Sequence, residues 1–200
     1  MIEILTLSEV ALSRGGRRLF SGLSLTLAAG EACALTGPNG SGKTSLLRAV
    51  AGLIPLHGGE IAFGGADPAE VRGRALHFLG HLDGLKPART VVEELEFWVR
   101  WAGGAQAGLD AAIAALELTR LLPLEIRRLS AGQRRRVALA RLIATPRPLW
   151  LMDEPLSPLD AAWRARLGHI MAQHLAAGGL ILAAVHDALP IRAISLEIAP

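Results

Sequence analysis

The chain is poor in the residues that would tie it to several common roles. Its 200 residues include one cysteine, Cys33, and no tyrosine. A lone thiol excludes an intrachain disulfide framework and agrees with a reducing compartment. Cys33 sits in an apolar stretch and is expected in the core. No zinc-finger spacing occurs, and aromatic residues make up only 4% of the chain. Without the stacking platforms that read single-stranded bases, no nucleic-acid partner is expected. The longest uninterrupted apolar run near the C-terminus, Leu180–Val185, falls far short of the ~20 residues that cross a bilayer. The N-terminus, Met1-Ile2-Glu3-Ile4, lacks a basic segment followed by an apolar stretch and a small-residue cleavage site. No export signal is expected, and the setting is read as cytoplasmic.

What is present is an apolar, mildly basic chain, 51% hydrophobic with a net charge of +3. Such a composition fits either an Ala/Leu-rich core or a surface partly covered by a partner. The predominance of arginine over lysine fits ordinary solvated side chains, or anionic headgroups beside a membrane partner. At this length one α/β domain is expected, with an inserted subdomain.

The texture changes along the chain. From Ile2 to Ala34, short alternating segments separated by Gly15-Gly16 and Ala28-Ala29-Gly30 predict an antiparallel β region. A buried strand over Glu31–Leu35 runs into the glycine-rich turn Gly37–Gly42, and helix-period apolar residues Leu46, Leu47 and Val50 follow. Gly58-Gly59 and Gly64-Gly65 bracket a short strand at Glu60–Phe63. From about residue 83 to 144, apolar residues at three- and four-residue spacings over Val91–Trp101, Leu109–Leu118 and the basic stretch after Ser130 predict an α-helical subdomain. Residues 1–82 and about 145–200 then form the core. Strands Leu149–Met152 and Leu180–Val185, separated by a helix through Trp163–His174, predict a mostly parallel sheet covered on both faces.

Gly37-Pro38-Asn39-Gly40-Ser41-Gly42-Lys43-Thr44 matches G-x-x-x-x-G-K-[ST] between a strand and a helix, the context that a phosphate-binding loop requires. Its backbone N–H groups and the helix N-terminus would cradle phosphates. Lys43 would reach the β- and γ-phosphates of ATP, and the Thr44 hydroxyl would coordinate Mg²⁺. Leu149–Glu154 is an apolar strand that delivers two adjacent carboxylates at its C-terminal edge. Asp153 is read as a Mg²⁺ partner, directly or through a coordinated water. Glu154 is free to act as general base on the attacking water. Leu129-Ser130-Ala131-Gly132-Gln133 precedes a helix, so Ser130, Gly132 and Gln133 mark a second anion-binding helix N-terminus. Lacking a lysine and metal ligands of its own, it fits the γ-phosphate of a nucleotide held by another copy, in a head-to-tail dimer.

Taken together, these motifs resemble the ATP-binding-cassette ATPase family, whose signature is Leu-Ser-Gly-Gly-Gln or close to it. Here Ala131 is the one departure. The resemblance covers nearly the whole chain and implies a P-loop NTPase fold of that type. It makes Gly37–Thr44 the Walker A motif and Pro148–Glu154 the Walker B. Leu156–Asp160 becomes the loop that communicates between subunits, and His186 the switch histidine on the γ-phosphate. Two positions depart from the pattern. Arg14 stands where an aromatic normally stacks on adenine, leaving the guanidinium, Phe20 or neither to do so. Where a glutamine normally approaches Mg²⁺, His81 is the nearest polar residue and a candidate metal ligand.

The segment Leu79–Lys86, the short chain and Leu19–Leu23 are similar to the ATP-binding subunits of cytochrome c biogenesis haem exporters. That resemblance implies a peripheral protein on the cytoplasmic face of the bacterial inner membrane, working with integral membrane subunits of the Ccm B and C types. ATP hydrolysis would then drive release of a haem-loaded chaperone. Direct haem binding is not expected, because the histidines are scattered and no C-x-x-C-H motif is present. The competing readings are the ATPase of another exporter, a soluble P-loop kinase, and a cassette acting on DNA or ribosomes. A kinase leaves Leu129–Gln133 and His186 unexplained. Cassettes of the last kind carry two copies or long coiled-coil insertions, for which 200 residues leave no room.

Overall fold

A computed structural model describes residues 2–198. Met1, Ala199 and Pro200, at the ends of the expected core, lie outside the described residues. Strands β1 (Ile4–Arg14) and β2 (Arg17–Ala28) form a hairpin about Gly15-Gly16. Next come β3 (Ala32–Thr36), α1 (Lys43–Val50) and β4 (Gly58–Ala62). A three-residue helix α2 (Pro68–Glu70) and a π-helical turn, Val71–Ala75, lead to β5 (Leu76–Leu79). Helices α3 (Val91–Ala102), α4 (Gln106–Ala115) and α5 (Ala131–Ala144) occupy the segment expected to be helical. The chain ends with β6 (Leu149–Asp153), α6 (Ala161–Ala176), β7 (Leu180–Ala184) and β8 (Ile194–Glu197).

The strands form two sheets. One is antiparallel, in the order β2-β1-β4, and the other runs β5-β6-β7-β3-β8. Every pairing in the second sheet is parallel. Its central strands are apolar throughout because both faces are covered, so successive side chains enter different cores. Ala32, Ala34, Trp150, Met152, Ile181 and Ala183 point into a cluster shared with α3, α4, α5 and α6. Cys33, Leu35, Leu149, Leu151, Leu180 and Leu182 point the other way, toward α1 and the antiparallel sheet. The helical segment therefore has no separate core. Its apolar faces complete one side of the parallel sheet.

Local chemistry fixes the helix starts. Thr90 and Glu93 form a reciprocal capping box at α3, and Ser130 and Gln133 form another at α5. Within α3, Glu94 is 1% exposed and accepts hydrogen bonds from Arg89 Nη1 (3.2 Å) and Trp98 Nε1 (2.9 Å). That satisfies a carboxylate which burial would otherwise penalise.

Candidate functional site

The loop between β3 and α1 is shaped by glycines that no other residue could replace without strain. Gly37 has φ 127° and Gly42 has φ 110°. A Cβ on Gly37 would stand 2.4 Å from the Ile198 carbonyl oxygen, and one on Gly42 2.9 Å from the Phe20 ring. The loop is thus wedged between the segment after β8 and the Phe20 ring of β2. Pro38, Asn39 and Gly40 form its exposed rim. Lys43, 7% exposed, folds back so that Nζ donates to the carbonyls of Gly37 (2.7 Å) and Pro38 (3.1 Å). The buried Ser41 hydroxyl has no hydrogen-bond partner. A buried ammonium, an orphaned hydroxyl and the N-terminus of α1 converge on one hollow, a donor set that suits a polyphosphate.

The adjacent parallel strands β6 and β7 bring acid and base chemistry to the same edge, where ligands of α/β sheets bind. Asp153 ends β6 at 3% exposure, and the Thr44 hydroxyl lies 3.1 and 3.0 Å from its two carboxylate oxygens. One hydroxyl and one carboxylate are hard oxygen ligands of the kind Mg²⁺ takes, alongside phosphate and water oxygens. Among the described residues, no group of three or more His, Cys, Asp or Glu could hold a metal unaided. The next residue, Glu154, adopts a left-handed backbone with φ 52°, and its N–H donates to the Ala184 carbonyl at 2.9 Å. Its carboxylate meets His186 Nε2 at 2.8 Å. Lys43, Thr44, Asp153, Glu154 and His186 all line one cleft of about 200 Å³, with Arg14 and Leu19 also in its wall.

Ser130, Gly132 and Gln133 do not line that cleft. The Ser130 Oγ accepts from the Gln133 N–H at 3.2 Å, and the Gln133 side-chain oxygen accepts from the Ser130 N–H at 2.8 Å. Capping uses an acceptor lone pair of the exposed serine and leaves its hydroxyl proton free to donate. The nearest atom to a Cβ on Gly132 would be the Pro158 carbonyl at 3.6 Å, ordinary contact distance, so packing within the chain does not demand glycine there. His81 is exposed and likewise outside the cleft. Of the two alternatives for adenine, Phe20 is committed to the floor of the phosphate loop at 5% exposure. Arg14 is exposed and faces the cleft.

Arg135 escaped the sequence reading. It is 1% exposed and reaches from α5 to the backbone of Asp153 and Glu154. A signal existed: Arg135 continues the buried helical stripe of Ala138, Leu139 and Leu142. A second, mainly apolar cleft of 390 Å³ opens between β5, α3 and α5, lined among others by His77, Trp98, Trp101 and Arg141. Burial pushes His77 down to about 4, with Arg147 and Arg141 acting the same way against its bond to the Thr145 carbonyl. Trp101 and Leu53 of this cleft remain 67% and 62% exposed.

A parallel sheet with a phosphate loop, strand-end carboxylates and a second capped helix N-terminus defines a P-loop nucleotide hydrolase. Residues 20–157 match the family described as ABC transporter, and the chain belongs to that family. ATP hydrolysis coupled to transport is this family's activity. The chain is 51% identical, over 92% of both chains, to the cytochrome c biogenesis ATP-binding export protein CcmA of Nitrobacter winogradskyi. It is 48% identical, again over 92% of both, to the protein of the same name from Bradyrhizobium diazoefficiens. A solved dimer of an ATP-binding cassette in a post-hydrolysis state, with ADP and Pi bound, shares the fold at TM-score 0.80 and 23% identity over 98% of this chain and 97% of that one.

Proposed function

We propose that the chain is the ATP-hydrolysing subunit of a cytochrome c maturation exporter and acts as a head-to-tail dimer on membrane subunits of the Ccm B and C types. The observation that carries the hydrolytic part is the gathering of Lys43, Thr44, Asp153, Glu154 and His186 in one cleft. The names of its relatives, which align over nearly their full length, support the biological role.

In this reading Gly37–Gly42 and Lys43 hold the triphosphate, while Thr44 and Asp153 hold Mg²⁺. The metal, when bound, neutralises charge on the β- and γ-phosphates. Glu154 takes a proton from water as its oxygen attacks the γ-phosphorus, and the bond from that phosphorus to the β-bridging oxygen breaks to release ADP. His186 orients the Glu154 carboxylate and reaches toward the γ-phosphate. Ser130, Gly132 and Gln133 of the second copy close the site. Arg14 covers the adenine in place of an aromatic ring. The helical segment at about 83–144 carries movement to the membrane subunits, one of which fills the cleft beside Trp98 and Trp101. The protein then sits peripherally at the cytoplasmic face of the inner membrane. No helix in the described residues is long and apolar enough to cross it.

Deletion of the gene, followed by haem staining of c-type cytochromes, tests the role. Loss of holo-cytochromes, restored by the wild-type gene and not by Lys43→Ala, is expected. Normal staining in the deletion strain overturns the cytochrome c assignment and leaves the ATPase untouched.

A further inference from the structure

An isolated guanidinium is among the costliest groups to bury, yet Arg135 lies inside at 1% exposure. Its five N–H groups meet five acceptors. Nη1 donates to the Gly80 carbonyl and to Asp83 Oδ1, both at 3.0 Å. Nη2 donates to the carbonyls of Asp153 (2.8 Å) and Glu154 (2.7 Å), and Nε to that of Pro155 (3.4 Å). Three consecutive carbonyls, from the last residue of β6 to Pro155, are therefore clamped by one side chain, and among the described residues only Asp83 opposes its charge directly. Buried ionic groups add little net stability relative to an apolar residue of similar volume. What the arginine uniquely supplies is geometry.

That geometry falls on the strained part of the site. Glu154 holds a left-handed backbone at φ 52°, a conformation that non-glycine residues rarely adopt. Three hydrogen bonds of its backbone keep it there: its N–H donates to the Ala184 carbonyl, and its carbonyl accepts from Arg135 (2.7 Å) and from the Ser157 N–H (3.2 Å). The direction of the Glu154 carboxylate, and with it the 2.8 Å contact to His186, depends on this backbone. The same arginine is anchored on α5, five residues after Ser130 at the helix cap, and grips the loop that follows β5 through Gly80 and Asp83.

We propose that Arg135 is a positioning residue which sets the backbone of Glu154 and makes it answer to movement of α5 and of the loop at Gly80–Asp83. This rests on the assignment of Glu154 as the base. A shift of either element moves a guanidinium whose every donor is engaged, so the strained turn relaxes and the carboxylate leaves its place. The phosphate-holding residues Gly37–Thr44 lie outside that turn.

The test compares full-length wild type, Arg135→Gln, Arg135→Lys, Asp83→Asn and Glu154→Gln for kcat, KM, affinity for Mg²⁺ and a fluorescent ATP analogue, and Tm. Arg135→Gln is expected to lower kcat at least about tenfold while KM and analogue affinity stay within about threefold. Arg135→Lys, with three donors in place of five, falls between. Asp83→Asn, which keeps the four backbone acceptors, lowers kcat by about threefold with the same KM. Wild-type kcat in folded Arg135→Gln overturns the inference, as does a loss of kcat that merely parallels lost affinity or Tm. If Arg135→Gln does not fold, wild-type kcat in both Arg135→Lys and Asp83→Asn overturns it instead. Retained turnover in Glu154→Gln defeats the base assignment, a separate failure from loss in Glu154→Gln with none in Arg135→Gln.

Discussion

Acidification from about pH 7 to about pH 5 should destabilise this chain by an amount that one histidine largely sets. His77 lies in β5, and its Nε2 is 2.6 Å from the Thr145 carbonyl oxygen. Burial, helped by Arg147 and Arg141, moves its pKa from 6.5 in the open chain to about 4. Because the folded value is depressed, the unfolded chain takes up a proton between those values and the folded chain does not. The contribution to stability is therefore complete above about pH 6.5 and is lost as the pH falls toward 4. Each pH unit of displacement is about 1.4 kcal/mol, so the full difference is about 3 kcal/mol, of which about 2 kcal/mol has gone by pH 5. His174, stacked on Trp150 at 3.8 Å and shifted downward by burial, acts in the same direction. His77→Gln keeps a donor for the Thr145 carbonyl and removes the titration. Urea unfolding at the two pH values gives the comparison: the variant should lose about 2 kcal/mol less than wild type on acidification. Equal losses in the two proteins would refute the reasoning, because every other titrating group is common to both.

Further outcomes follow from the loop and the caps. Gly42→Ala places a Cβ 2.9 Å from the Phe20 ring at φ 110°. A loss of about 2 kcal/mol and of roughly 4–8 °C in Tm is expected, with nucleotide affinity falling further than stability, measured by calorimetry and by ATP-analogue titration. Thr90→Ala and Ser130→Ala each remove a capping box and should cost about 1 kcal/mol in urea unfolding. Only Ser130→Ala should also lower turnover, by about tenfold, without weakening ATP binding to the single chain. Equal turnover in the two cap variants would remove Ser130 from the shared site.

Much of this was legible in the sequence because short-range patterns impose it. The runs at Leu149–Met152 and Leu180–Val185 are apolar at every position, and the structure gives the reason: each strand feeds two cores. The phosphate loop announces itself because its glycines occupy conformations that few other residues adopt. The short strands β5 and β8 were not read. Leu76–Leu79 is four residues long and holds His77, while Ile194–Glu197 lies at the sheet edge and is mostly exposed, so neither carries a period. Arg135 was missed for a different cause. Within Arg134-Arg135-Arg136 a sequence gives no means of telling a clamp from solvated charge until the carbonyls of Asp153, Glu154 and Pro155 are brought beside it. The stripe it shares with Ala138, Leu139 and Leu142 was the available hint. Phe20 likewise looked like a candidate to stack on adenine until the fold placed its ring beneath Gly42.

In the proposed mechanism Glu154 is the base of a site completed by Ser130 of a second copy. Light scattering of purified Glu154→Gln, with and without ATP and Mg²⁺, tests it most directly. Blocked hydrolysis should trap two nucleotides between two chains, so a dimer is expected that forms only with ATP and is lost in the Ser130→Ala, Glu154→Gln double variant. A monomer at saturating ATP, or turnover that persists in Glu154→Gln, would contradict it.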